Sequence, residues 1–510
     1  VMGRTSVMAY AGTTKPVQEI ANELGVGSIV EGSVQVIGDR LRVNVQLLDP
    51  ETGAHVWAES YDRTLDDAFA IQGEVAQQVV TAVGAVVTGA ESNALAAVPT
   101  HNAEAYRLYL QGEEYRRRQG YERQNYEIAQ DFYERALALD STFAIAYTSL
   151  AEVHGLLHWF GYDPSPARLG RARAAAEAAQ KLAPELPQTR RAMGRVYYWE
   201  RDFARALQEL AATAEGLPGS AGVWEAIGAA HRRLGQWDQA LAAYEKATTL
   251  NPRAADVFAD LGGETFMYLH RYGEAIGALN RALGLAPDRW GAQLTRARTY
   301  LWWQGELDTL RHVLADGPES FAEFGPRALW RARLALWERK PDTVLALLAR
   351  REVVMFETQE YYEPGLLYAA WAHQLRHDRV AAAAAFTGAL AQLDSALREL
   401  PDDWRFHASR GLALAGLGRQ ADAADQAQLI EESVVYADRL LRGRLSESRA
   451  MIFAQAGLAD EAVVELEPLL AGPSFTSVHM LRLDPRWDPI RDDPRFQALL
   501  VKYANPEPAQ

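Results

Sequence analysis

The chain has 510 residues, 48% hydrophobic and 23% charged, a balance that excludes a disordered or fibrous protein. Its 52 Lys and Arg against 67 Asp and Glu leave a net charge of −15, which argues against a general nucleic-acid binder, because such a protein needs a basic face to displace counterions from phosphates. There is no cysteine, so disulfides, thiolate zinc sites, iron–sulfur clusters and cysteine nucleophiles are excluded. No run of ~18–20 consecutive apolar residues predicts a membrane span, and alanine-rich runs such as Ala381 to Ala385 are too short. The opening residues read as strand-like and not as a signal peptide.

Residues 1–90 mix helix and strand. Val17, Ile20, Ala21 and Leu24 recur at helical spacing after Pro16, and Gly25 follows as a stop. The stretch 28–38 then alternates apolar residues at Val30, Gly32, Val34 and Val36, and the stretch 41–49 alternates at Leu41, Val43, Val45 and Leu47. With a third strand from His55 to Tyr61, these predict an antiparallel three-stranded meander with one buried face, covered by a helix from about Leu65 to Val87. Residues 91–100 read as a linker.

From about residue 101 the period is helical and it repeats. Gly194, Ala206, Leu210 and Pro218 recur as Gly228, Ala240, Tyr244 and Pro252, then as Gly262, Ala275, Leu279 and Pro287, at a spacing of 34 or 35. The middle copy, with Trp224 four residues before Gly228, is close to the tetratricopeptide pattern. Small residues at the Gly228 and Ala240 positions let two helices approach, an aromatic such as Tyr244 fills the groove between repeats, and proline ends the second helix. Fainter copies begin at Tyr106 and Leu110, with a longer connection around Gly120, and at Tyr147 and Ala151; others follow in 366–401, 408–430 and 446–470. The expected fold is mainly α: roughly eight or nine helical hairpins stacked as a right-handed solenoid over 101–475, a capping segment over 476–510, and a small, incomplete α/β domain in front.

The segments 1–10, Ile20-A-N-E-L-G-V26, Val30-E-G-S-V34 and Gly53-A-H-V-W-A-E-S-Y-D-R63 together resemble the TolB amino-terminal-like domain, and the ending Leu481-R-L-D-P-R-W-D-P-I-R-D-D-P-R-F496 resembles the closing segment of its kinase-linked members. The resemblance implies a bacterial regulator in which this domain precedes tetratricopeptide repeats, as in serine/threonine kinases of the eukaryotic type, adenylate cyclases and winged-helix regulators. The family's first strand and helix are missing in front of the meander. The resemblance then implies either that the chain is a fragment or that a sheet edge is left open, and an open edge would invite a partner strand or self-association.

No catalytic motif of those families is present: there is no glycine-rich loop leading to a lysine strand, no H-R-D and no D-F-G. Gly416-L-G-R-Q-Ala421 fits the letters of a dinucleotide loop but sits between helices, where a turn is expected. His154 and His158 share a helical face without a carboxylate at ligand spacing, so a packed or solvent-facing pair is expected, and no metal or other cofactor. Asp66-Asp67 and Asp492-Asp493 fit helix starts, and Ser6, Ser33 and Ser446 lack a nucleophile-elbow setting. The chain reads as non-enzymatic.

Binding is the expected work. In a tetratricopeptide solenoid the first helix of each hairpin lines the concave groove, which points to Arg191, Arg195, Glu225, Ala229, Asp260, Glu264, Leu294 and Arg298, with Tyr198 and Arg232 a turn further on. Arg191 and Arg195 lie one turn apart and suit a carboxylate or an acidic peptide; the alternative is pairing with Glu200, Asp202 or neighbouring acids on a solvated face. Of Trp302 and Trp303, one faces the core by geometry and an exposed one is a partner anchor; Trp302 is taken as the groove residue. The partner is a protein or peptide. The alternatives are the regulatory half of a kinase or cyclase and a permanent structural subunit, and no compartment follows from the sequence.

Overall fold

The computed structural model describes residues 7, 10, 12–37, 40–64, 68–84, 99–118, 123–321, 325–349, 355–358 and 360–504. Ser6, Gly38, Asp39, Asp66-Asp67, Gly120 and the 91–98 part of the expected linker lie outside them. The chain divides into two compact units: Val1–His231 with Asp238–Ala254, and Arg232–Trp237 with Ala255–Gln510.

In unit 1 the helix Val17–Leu24 stops at Gly25, which takes a left-handed φ of 65° that glycine adopts without steric cost. Strands β1 (Ile29–Ile37), β2 (Arg40–Leu48) and β3 (His55–Thr64) form an antiparallel sheet in the order β1-β2-β3. The register sets Val30 opposite Leu47 and Val34 opposite Val43, so the apolar positions share a face. The covering helix, Ala68–Ala82, packs Ile71 and Val75 onto Leu41, Val45, Tyr61 and Trp57. It packs chiefly on β2 and β3, and Val30 and Val34 of the edge strand stay 49% and 65% exposed. Alternation marked a buried face but not how far one short helix extends across it.

The rest of unit 1 is helical hairpins: Ala103–Arg116 with Arg123–Leu139, Ala144–Trp159 with Pro166–Leu182, Pro187–Trp199 with Phe203–Gly216, and Ala221–Arg233 with Trp237–Leu250, whose connecting residues Arg232–Trp237 belong to unit 2. Side chains of Asn102, Ser165 and Asp202 cap their helices by accepting a backbone N–H three residues on. Gly194 lies against Leu210 and Gly228 against the fully buried Tyr244 ring, with Ala206 and Ala240 also fully buried. Trp224 is half-buried and donates its indole N–H to Pro218 O at 3.0 Å. In the first hairpin the sequence frame is off: Leu110 is 44% exposed, while Leu108 is buried and Gly112 is the small residue against Tyr133.

Unit 2 continues with Ala255–Asp260, a π-helical stretch Leu261–Phe266 and Tyr272–Leu285, then Trp290–Gln304 with Asp308–Asp316, Arg327–Trp337 with Pro341–Leu348, Gly365–Leu375 with Arg379–Glu399, Trp404–Gly416 with Gln420–Glu432, and Arg439–Gln455 with Ala459–Ala471. Short helices Val478–Leu483 and Pro494–Lys502 follow. The helix Arg379–Glu399 is long and apolar enough to cross a membrane, at mean hydropathy 1.3, through alanine and not through an unbroken apolar run. Its buried Ala382, Phe386, Ala389 and Leu393 form one stripe, and the helix packs on its hairpin partner Gly365–Leu375 and on Trp404–Gly416 of the next hairpin.

The turns inside the later hairpins share one geometry. From the third hairpin on, a left-handed residue stands just before the second helix: Arg201, Gly235, His270, Gly305, Arg339, His377, Gly418 and Gly457. Gly416-L-G-R-Q-Ala421 is one of these turns, with Gly418 at φ 75°.

Candidate binding face

In unit 1 the first helices of successive hairpins place an ion-pair ladder on one face. Glu113, 4% exposed, accepts from Arg116 at 2.8 Å and Arg117 at 2.7 Å, and from the Tyr133 and Ser149 hydroxyls at 2.7 and 2.8 Å. Burial opposes its charge, but Arg116, Arg117 and Tyr133 outweigh that and hold the carboxyl well below the usual range. Arg116 also reaches Glu152 at 3.3 Å, and Arg191 lies 3.5 Å from the same carboxylate. Burial raises the Glu152 carboxyl, and Arg116, Arg191 and Arg195 together bring it down. Four guanidiniums thus share two carboxylates.

Arg191 and Arg195 are therefore together, and the acid between them and the preceding hairpin is Glu152, not Glu200 or Asp202. Glu200 takes Arg173 instead, and Asp202 caps its own helix and pairs with Arg205 at 3.4 Å. The Arg195 guanidinium lies over Tyr198 and Trp199, at 5.7 and 5.1 Å, and its Nε has no hydrogen-bond partner among the described residues. Tyr198 itself is 6% exposed, wedged between Trp159 and Phe203, so it supports the arginine more than it faces solvent. Glu225 is half-buried on the next first helix. Glu113 and Glu152 escaped the sequence reading, although a signal was there. Each follows a small packing residue, Gly112 or Ala151, as Arg195 follows Gly194.

The candidates in unit 2 are placed differently. Arg232, Arg298 and Trp302 are 4%, 5% and 6% exposed. Arg232 lies 3.4 Å from Asp260 and from the Thr265 hydroxyl. Burial pushes the Glu264 carboxyl up, with Arg232 pulling it down and Glu360 and Asp260 pushing with the burial. Burial brings the Arg298 guanidinium down to about 10. Arg298 and Trp302 border a cavity of about 80 Å³, alongside Arg333, Arg444 and Arg486. Here the face is filled by the chain itself. Phe475 accepts the Trp302 indole N–H on its carbonyl, sets its ring edge-on to Tyr268 at 5.0 Å, and lies under the Arg444 guanidinium at 4.3 Å. Trp302 is thus interior, and Trp303, 38% exposed, is the outer member of the pair.

The π-helical stretch accounts for the extra residue in the third repeat copy. Gly228 to Gly262 is 34 residues but Ala240 to Ala275 is 35, and the wide turn Leu261–Phe266 contains Gly262 and ends before Ala275. Gly262 there abuts Leu279 and the Ala275 carbonyl, and Pro287 follows the second helix, Tyr272–Leu285. His154 is buried and accepts from Arg168 at 2.9 Å on Nδ1, and His158 is half-buried.

The family model of the tetratricopeptide repeat matches residues 221–254. A protein of Rhizobium meliloti named putative adenylate cyclase 3 is 36% identical over 154 residues, which are 30% of this chain and 25% of that protein; the chain thus spans about a quarter of its length. Among solved structures, YrrB, described as a TPR protein with an unusual peptide-binding site, is 21% identical with a TM-score of 0.25, over 41% of this chain and 97% of its own. Human IFIT1, solved as a dimer with m7Gppp-AAAA, is 13% identical with a TM-score of 0.41, over 72% of this chain and 76% of its own. At those scores the assignment of a tetratricopeptide-type solenoid rests on the hairpins themselves.

Proposed function

We propose that this tetratricopeptide-type repeat chain is a non-catalytic interaction module whose unit 1 face captures an acidic segment of a protein partner. The observation that carries this is the charge imbalance of the ladder: among the described residues, Arg116, Arg117, Arg191 and Arg195 pair with or lie near Glu113 and Glu152. A carboxylate entering between Arg191 and Arg195 replaces no better partner, because the Arg191–Glu152 contact of 3.5 Å is too long for a good charge-assisted hydrogen bond. Glu225 would then face the far end of the bound segment and disfavour acids there. The test is fluorescence anisotropy on the full chain with peptides carrying two or more acidic residues. Arg191→Glu with Arg195→Glu is expected to weaken capture at least about tenfold. Unchanged binding by the charge-reversed protein would overturn the proposal.

A second reading concerns the larger protein. The relative named as an adenylate cyclase supports the view that this region is the regulatory part of a cyclase-type regulator more than of a kinase. The TolB-like resemblance of residues 1–90 belongs to the same reading, with the half-covered β1 edge as the point where another strand or a second copy would add. A phosphotransfer or cyclase assay on this chain alone is expected to give no turnover, and turnover would refute the non-catalytic assignment.

A further inference from the structure

Unit 2 holds a larger cavity, of about 660 Å³, on a different side of its final hairpin from the small interior one. The helix Arg439–Gln455 turns Arg444 and Met451 to the small cavity, and Arg439, Arg442, Ser446 and Arg449 to the large one. The latter four are spaced i, i+3, i+7 and i+10, one stripe of a helix. Across from them stands Trp237, stacked on Tyr268 at 5.1 Å and 26°. The left-handed Gly235 closes against the Arg439 stem, where a Cβ would fall 3.1 Å from Arg439 Cγ.

The acids of the cavity are already used. Arg449, 7% exposed, takes Glu431 at 2.6 Å and Glu465 at 2.9 Å, yet its buried Nε has no hydrogen-bond partner among the described residues. Burial pushes the Glu465 carboxyl up even with Arg449 beside it. Arg439 and Arg442 are exposed at the cavity and make no ion pair among the described residues; Arg442 rests over the Tyr436 ring at 4.8 Å and acts on Glu465 only at longer range. Two guanidiniums without an ion pair among the described residues thus flank a third with a spare donor, in a space of the size small-molecule sites occupy.

We infer that this cavity binds a small phosphomonoester carried on a flat apolar body. A phosphomonoester is close to dianionic at pH 7 and offers three acceptor oxygens, which matches two guanidinium forks; a carboxylate is satisfied by one. The flat body lies on the Trp237 face, with Leu234 and Leu469 as apolar walls. The inference does not depend on the unit 1 ladder.

Calorimetric titration of the full chain with phenyl phosphate, inorganic phosphate and benzoate tests it. Phenyl phosphate is expected to saturate one site and to bind more tightly than either of the others. Arg439→Ala with Arg442→Ala is expected to weaken it roughly tenfold or more at an unchanged melting temperature, since both side chains are exposed. Trp237→Leu should bring phenyl phosphate down to the level of inorganic phosphate, and Arg191→Glu with Arg195→Glu should change nothing. Absence of saturable phenyl phosphate binding, benzoate binding as tightly, or full binding by the double alanine variant would each overturn the inference.

Discussion

Gly155 has no room for a side chain, because a Cβ there would overlap the ring of Trp199, itself 3% exposed. Gly170, also inside a helix, has nothing within 4 Å. Gly155→Ala is therefore expected to cost about 1–3 kcal/mol by overpacking, and Gly170→Ala to gain about 0.5–1 kcal/mol, both read from urea denaturation. The two glycines look alike in the sequence; only the neighbouring hairpin separates them. His377 shows the opposite case. It is exposed and holds φ at 57°, a conformation that costs a side chain about 1–2 kcal/mol. His377→Gly is expected to stabilise the protein by about 0.5 kcal/mol, after the entropy that glycine adds to the unfolded chain. Arg191 and Arg195 were legible as a pair one turn apart. Their acid was not, because Glu152 comes from another hairpin.

At the scale of elements, the repeat is more regular in the structure than in the letters. The left-handed turn residues Arg201, Gly235, His270, Gly305 and Arg339 keep spacings of 34 and 35 well past Pro287, where the small-residue pattern fades. Arginine, histidine and glycine all serve at that position, so no motif marks it. The π-helical turn is the element that takes up the odd residue, and it is tightly seated. Gly262→Ala would set a Cβ 2.9 Å from the Ala275 carbonyl oxygen and 2.8 Å from Leu279 Cγ. Backbone cannot step aside as a flexible side chain can, so a loss of about 1–3 kcal/mol is expected in chemical denaturation.

On the scale of the whole molecule, unit 2 is closed by contacts far apart in sequence. Arg233 and Asp438, 7% and 2% exposed, pair at 2.9 Å, and Asp438 also caps the helix Arg439–Gln455. Asp438→Ala removes both the carboxylate that pairs with the buried Arg233 and the helix cap, so a loss of about 3–5 kcal/mol is expected from urea denaturation. Buried histidines tie stability to pH in both units. Burial, with Arg168 and Arg171 acting alongside it, pulls His154 down to about 4, and burial alone does so for His270. The unfolded chain takes up these protons near pH 6.5 and the folded chain only near 4. Their contribution is thus whole above pH 6.5, falls through the window, and is gone below 4, up to about 3 kcal/mol each. Denaturation at pH 7, 6 and 5 should show this, with a shallower slope in His270→Gln. Glu264 and Glu465, whose carboxyls are raised, act in the opposite direction by weakening the fold as pH rises past 4.5.

The sequence by itself determined the local periods. Alternation set the three strands, and recurring small and aromatic residues set the helices and the way each folds back on its partner, because those preferences act within about forty residues. Tertiary structure decided which inward-facing residues stay open. In unit 1 the ladder around Glu152 keeps Arg191 a third exposed, at 32% of its side chain, whereas in unit 2 Phe475 arrives from 173 positions away to cover Trp302. A helical period states which way a side chain points. It carries no information on what later part of the chain will come to rest against it.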